Sequence, residues 1–167
     1  MDYTKNLEEV YKHLFDEGGF LTVKSGDIVN SMTISWGSIG QFWNKLVFMV
    51  LVRPTRYTYN LLEAEDNFTV SVPFGSKMSE ALKICGTKSG RDTDKEKLAG
   101  LKYIPSRVVE TPVVGNCDMH YECKIVYKHA EDPSLILAPE IEELYNNDYH
   151  MIYFGEIVAC YEEESQV

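Results

Sequence analysis

Three short stretches of this chain concentrate residue types that bind or transform small molecules. The first, Asn30-Ser-Met-Thr-Ile-Ser-Trp-Gly37, sets the hydroxyls of Thr33 and Ser35 beside Met32 and the large ring of Trp36. The second, Val52-Arg-Pro-Thr-Arg-Tyr-Thr58, brings Arg53, Arg56 and Thr58 to the end of an apolar run. Guanidinium and hydroxyl groups bond oxyanions strongly, and aromatic faces pack on planar rings. Together they suit a ligand with a flat ring at one end and an anion at the other. The third stretch is Gly86-Thr-Lys-Ser-Gly-Arg-Asp-Thr-Asp-Lys95. Thr93 and Glu96 have capping-box spacing, which predicts a helix start with Lys95 in its first turn and Gly100 just past its end. A flexible Ser89-Gly90-Arg91 turn beside that start reads as an anion cradle, although Asp92 and Asp94 oppose it unless they point away or hold the arginine. His150, at the head of the last apolar run, is either a satisfied structural histidine or a polar group at the mouth of a pocket.

The elements that must position these groups are mostly strands. Met32, Ile34 and Trp36 alternate with Thr33 and Ser35, so one face of that run is apolar and the other carries hydroxyls, which either satisfy nearby backbone or face a ligand. Leu46 to Val52 has the length of a buried strand, and Arg53-Pro54 ends it sharply. Between these runs, residues 37 to 43 read as an apolar loop. Leu7, Val10, Tyr11, Leu14 and Phe15 recur at helical spacing, predicting a covering helix over residues 3 to 17 that stops at Gly18-Gly19. Phe20 to Val29 reads as a hairpin turning near Ser25-Gly26-Asp27. Thr58 is a plausible N-cap for a helix through Leu62, and Ser76 for another ending at Gly86. Asp118 to His129 and Tyr149 to Val158 are the last strands, with Gly155 marking a bulge or a close backbone approach. The intervening segment, residues 130 to 147, is poorly determined beyond a short helix at Glu140 to Tyr145.

Composition narrows the function. A chain of 167 residues with 44% hydrophobic and 25% charged residues can bury a core unaided. Its net charge of −10 argues against a nucleic-acid partner, so any anion must be held by a local cluster. Acidic residues at Glu131-Asp132, Glu140 to Glu143 and Glu162 to Glu164 read as a solvated face. No apolar run is long enough for a membrane span and no leader pattern opens the sequence, which predicts a cytoplasmic protein. The four cysteines predict buried thiols rather than a disulfide scaffold. Cys117, His120 and Cys123 do not suit a metal, because on a strand 120 faces away from the other two. The chain lacks G-x-G-x-x-G after a strand, a P-loop, G-x-S-x-G and H-E-x-x-H, which disfavours a doubly wound dinucleotide fold. Short strands with regular turn signals and few long helices instead predict a small antiparallel barrel with helical additions.

The ordered set of Asn30 to Gly37, Arg53 to Thr58, Phe68-Thr-Val-Ser-Val-Pro73, Cys85-Gly86 with Ser89 to Lys95, and Tyr149-His150 with Gly155-Glu156-Ile157 resembles the flavin reductase-like, FMN-binding split-barrel family, particularly its flavoredoxin branch. The resemblance implies a mainly β, single-domain fold spanning residues 1 to 167: an antiparallel six-stranded Greek-key split barrel with peripheral helices, residues 1 to 19 forming the covering helix. It implies a homodimer holding FMN near the subunit boundary. Met32, Thr33, Ser35 and Trp36 carry over as flavin contacts, and Arg53, Arg56, Thr58, Ser89, Gly90, Arg91 and Lys95 as the phosphate site. His150 matches a histidine near the reactive face of the ring, where its expected role is positioning. Three functions follow as expectations: an oxidoreductase fed by NAD(P)H or a redox protein partner, an electron carrier without nicotinamide turnover, and a non-redox flavin-binding module.

Overall fold

A computed structural model describes residues 1–163. Fourteen regular elements are used below: α1 (Leu7–Asp16), β1 (Gly19–Ser25), β2 (Ile28–Ile34), β3 (Gly37–Phe42), β4 (Lys45–Val52), α2 (Tyr57–Leu62), β5 (Asn67–Val72), α3 (Ser79–Thr87), α4 (Lys95–Ala99), β6 (Tyr103–Ile104), β7 (Val113–Val114), β8 (Met119–Ala130), α5 (Pro139–Glu142) and β9 (Met151–Glu162). Seven strands form one antiparallel sheet in the order β2-β1-β5-β8-β9-β4-β3, and β6 pairs with β7 apart from it. The expectation of an antiparallel β fold with peripheral helices is met, with one strand more than the six implied. Among β4, β5, β8 and β9, the first returns to lie beside the last, which is the Greek-key order.

The extra strand is β3, where the sequence reads as a loop. Its two glycines and lack of alternation hide it, and its pairing with β4 supplies what local pattern does not. Trp43 and Asn44 close this hairpin at φ 51° and 57°, the two left-handed residues of a type I′ turn. The expected hairpin between β1 and β2 turns at Gly26-Asp27, with Gly26 at φ 57°.

One face of the sheet closes on a common core. Leu21 and Val23 of β1, Phe48 and Val50 of β4, Val70 of β5, Tyr121 of β8 and Tyr153 of β9 belong to a single buried cluster, as do Val10 and Leu14 of α1. Strands from both ends of the sheet therefore share one interior, and the barrel is split between β2 and β3, at Ser35-Trp36. A second cluster joins Phe20 on the outer face of β1 to Ala81, Leu82 and Cys85 of α3, with Val114 and Cys117. Cys117 lies ahead of β8 and packs in this second cluster, while Cys123 lies in the barrel core; the two do not share a face as expected. Gly155 sits where a Cβ would lie 2.5 Å from Phe68 Cζ and 2.7 Å from Cys123 Cβ, which accounts for glycine there by close approach.

Helix boundaries differ from expectation at several points. α1 begins at Leu7, because Asn6 adopts φ 56° and spends its amide on Glu162 and Met119. α2 begins at Tyr57, which puts Thr58 inside the first turn rather than at its cap. α4 is capped by Asp94, whose carboxylate accepts the Lys97 amide at 3.0 Å, rather than by Thr93. A 3-10 turn at Ser76–Met78 precedes α3, which runs through Gly86 to Thr87. β9 continues to Glu162, longer than expected; of the acidic Glu162 to Glu164 run read as a solvated face, Glu164 lies outside the described residues. No helix among the described residues is long and apolar enough to cross a membrane.

Candidate functional site

Sheet register gathers the polar groups at one end of the barrel. Met151 pairs with Val52 on one side and with Ala130 on the other, so Arg53, Glu131 and His150 emerge together where β4, β8 and β9 end or begin. Across the split, β2 brings Met32 and Thr33 to the same end, followed by Ser35 and Trp36. A cleft of about 170 Å³ lies between them, lined by Met32, Thr33, Ser35, Trp36, Arg53, Arg56 and His150. A second cleft of about 230 Å³ adjoins it, lined by Thr58, Ser89, Gly90, Arg91 and Lys95 among others, and it shares Met32, Thr33 and Arg56 with the first. The two form one groove, and all twelve site residues named from sequence line it.

Their roles in holding the groove together differ. Thr33 Oγ1 donates to the Leu82 carbonyl at 2.5 Å and docks α3, so the backbone-satisfying reading of this hydroxyl applies. Lys95 is buried; its ammonium donates to the carbonyls of Ser31 at 3.0 Å and Cys85 at 3.1 Å, tying β2 to the end of α3. Burial holds its pKa below the ordinary lysine value. Lys95 thus forms part of the floor, with one N–H left over. Thr58 is a floor residue too, accepting the Asn30 side-chain amide at 2.9 Å. Asp94 caps the start of α4 by accepting the Lys97 amide, and the Ser89-Gly90-Arg91 turn expected as the anion cradle precedes it.

In that turn Arg91 N–H donates to Ser89 Oγ at 3.2 Å, while the amides of Ser89 and Gly90 have no partner among the described residues. A Cβ on Gly90 would sit 2.9 Å from Tyr57 Cδ1 and closer still to Asn30 Oδ1, so only glycine lets the turn press against the groove wall. Arg91 is held by the Thr55 carbonyl at 3.2 Å and lies over the Tyr57 ring. Arg56 is exposed at the junction of the two clefts, and its guanidinium makes no hydrogen bond or ion pair among the described residues.

At the other end, Trp36 is 41% exposed and meets the His150 ring edge-on at 5.4 Å. His150 is buried, and burial holds its imidazole below the usual value. Its Nδ1 lies 2.9 Å from Tyr145 Oη. Tyr145 in turn reaches Glu131 Oε1 at 3.2 Å, and Glu131 Oε2 accepts the His150 backbone N–H at 3.0 Å. Arg53 donates to the Leu144 carbonyl at 3.0 Å and lies over the Tyr145 ring at 5.1 Å. Glu131 therefore faces the site rather than the solvated surface the acidic pattern suggested. Neither Glu131 nor Tyr145 is read as a site residue from sequence. They reach His150 through the β8–β9 register and a long connection, and no local motif marks them. Among the described residues no cluster of three metal-ligating side chains occurs.

Against known proteins, the family model described as "Flavin reductase like domain" matches residues 19–167. An uncharacterized protein of Pyrococcus abyssi is 30% identical over 118 residues, which is 70% of this chain and 66% of that protein; the chain thus spans just under two thirds of its length. Among solved structures, a flavoredoxin from Methanosarcina acetivorans superposes with a TM-score of 0.70 at 24% identity, covering 90% of this chain and 70% of that one. An NADH:FAD oxidoreductase from Streptomyces globisporus C-1027 gives a TM-score of 0.67 at 17% identity, covering 97% and 84%. At such identities these likenesses establish the fold.

Proposed function

This chain belongs to the flavin reductase-like family, and from that premise we propose that it is an FMN-binding oxidoreductase that passes electrons from NAD(P)H or a redox protein through bound FMN. The observation that carries the reading is the polarity of the groove. One end offers the free guanidinium of Arg56, the Arg91 side chain and two unpartnered amides; the other offers Trp36 and His150. On a chain of net charge −10, such a local cationic cradle suits a phosphate dianion. The wall that a Cβ at Gly90 would fill fits a ligand held by backbone amides.

Bound FMN would supply the hydride-accepting ring. The protein's part is to bind and orient. Arg56, Arg91 and the Ser89-Gly90 amides hold the phosphate, Met32, Thr33 and Ser35 run along the cofactor, and Trp36 shields the ring end from water. His150 and Arg53 then orient the donor. Pairing with a second copy belongs to the same proposal: Leu137 is 95% exposed and Leu135 71%, on the connection that carries Tyr145 to the groove, and a partner subunit there would cover them. A second reading, an electron carrier without nicotinamide turnover, draws on the same connection, where Asp132, Glu140, Glu142, Glu143 and Asp148 occur without a basic residue and favour encounter with a basic partner.

Purified protein mixed with FMN and then, anaerobically, with NADH or NADPH separates the readings. Loss of the flavin absorbance faster than in free FMN with either donor supports the reductase. Bound flavin that stays oxidised with both supports the carrier, and absence of flavin binding contradicts both.

A further inference from the structure

Burial disfavours the charged form of His150, and what the neutral ring offers a ligand depends on which nitrogen carries the proton. Three contacts decide this. An ionised Glu131 is acceptor-only, and it already takes the His150 backbone N–H on Oε2 at 3.0 Å. Its Oε1, 3.2 Å from Tyr145 Oη, draws the single phenolic proton in a charge-assisted bond. The Tyr145 oxygen then has only lone pairs to offer His150 Nδ1 at 2.9 Å, so Nδ1 must be the donor. Independently, Nδ1 lies 3.5 Å from Glu131 Oε2, where a bare lone pair would face a carboxylate oxygen. Nε2 has no hydrogen-bond partner among the described residues, and His150 lines the cleft beside Trp36.

We propose that Glu131 and Tyr145 are positioning residues that lock His150 as the Nδ1–H tautomer, so that Nε2 accepts an amide-type N–H from the ligand at the ring end of the groove. The tautomer follows from the contacts of Nδ1 with an ionised Glu131 and Tyr145, whatever the ligand; the ligand clause rests on the flavin reading. Two sources carry that chemistry, the imide N–H of a flavin ring and the carboxamide of a nicotinamide. The arrangement selects for a ligand donor and against a carbonyl at this position, since a carbonyl would meet a lone pair.

The test is ring-nitrogen NMR of the full chain, labelled with 15N-histidine at pH 7.5 and assigned with His150→Gln, because protonated and bare imidazole nitrogens resonate far apart. The expected spectrum has His150 protonated on Nδ1 and bare on Nε2. In Glu131→Gln the new amide donates to Tyr145 Oη, which frees the phenolic proton for Nδ1, so the pattern should invert to Nε2–H. An Nε2–H tautomer in the unsubstituted protein, or an Nδ1–H pattern untouched by Glu131→Gln, overturns the proposal; should that variant not fold, the unsubstituted spectrum decides. Saturating FMN should move the Nε2 resonance if the imide is the donor, and subsequent NAD+ should move it if the carboxamide is. An unmoved Nε2 with both ligands bound, as judged from the flavin spectrum and NAD+ saturation, overturns the acceptor role. Failure of FMN to bind sinks the functional reading and leaves the tautomer assignment standing.

Discussion

Several residues carry more than one duty, and separating the duties gives the sharpest expectations. Lys95 was read from sequence as a phosphate ligand, and the structure spends two of its three N–H groups on the carbonyls of Ser31 and Cys85. Lys95→Ala leaves those buried acceptors unpaired, so it should lower stability by about 1–3 kcal/mol in urea denaturation. An unchanged midpoint would show that water replaces the ammonium freely. His120 makes the clearest pH prediction. It is buried with Nδ1 3.0 Å from Ser71 Oγ, Glu163 faces its Nε2 at 3.5 Å, and Glu122 and Arg107 lie nearby. Burial lowers its pKa below 6.5, outweighing the carboxylates. The unfolded chain therefore binds the proton first: stability is fully present above about pH 6.5 and falls as pH drops toward the folded-state value. Unfolding midpoints at pH 7.5 and 5.5 should show this loss, and His120→Gln should lessen it, leaving the part due to His150, which is shifted in the same direction. Equal losses in both proteins would remove His120 from the account. The residue types at the site were legible because Arg53, Arg56 and Ser89 to Arg91 stand in local motifs. Glu131 and Tyr145 were not, because only long-range pairing brings them to His150.

At the scale of elements, the sheet succeeds through close approach at a few points. β9 crosses Phe68 and Cys123 at Gly155, and register irregularities in the β8–β9 pair, between Glu122 and Cys123 and between Ile125 and Tyr127, flank that crossing. Gly155→Ala should cost about 1–3 kcal/mol, since the methyl would have to displace an aromatic ring and a strand; a denaturation midpoint equal to that of the unsubstituted protein would mean the strands can part locally. The strand β3 shows why a loop reading failed. Gly37 and Gly40 weaken the pattern, and the turn that closes the hairpin uses Trp43 at φ 51° where glycine or asparagine is expected. Trp43 is held there by edge-on contacts with Tyr127 and Phe154 at 5.6 and 5.7 Å, which is tertiary information absent from any local window. The strands with strict alternation or an unbroken apolar run, β2 and β4, were legible, and they are the ones that deliver the site. Helix caps were less so, since Asp94 outcompeted Thr93 and α2 left Thr58 inside its first turn.

For the molecule as a whole, the proposed site for a flat ring carrying a phosphate is a groove that is cationic at one end and aromatic at the other, on a chain of net charge −10. Outside the groove Lys5 pairs with Glu162, Lys45 with Glu156 and Lys128 with Glu63. The phosphate, more than the ring, should therefore decide affinity. The measurement that tests this most directly is a titration of the protein with FMN and with riboflavin, which differ by that phosphate, repeated on Arg56→Ala. FMN should bind at least tenfold more tightly than riboflavin, and the substitution should weaken FMN by about 1.5–3 kcal/mol, roughly 10- to 150-fold, while leaving riboflavin nearly unchanged. Equal affinity for the two flavins, or an FMN affinity indifferent to Arg56, would contradict the assignment of the groove.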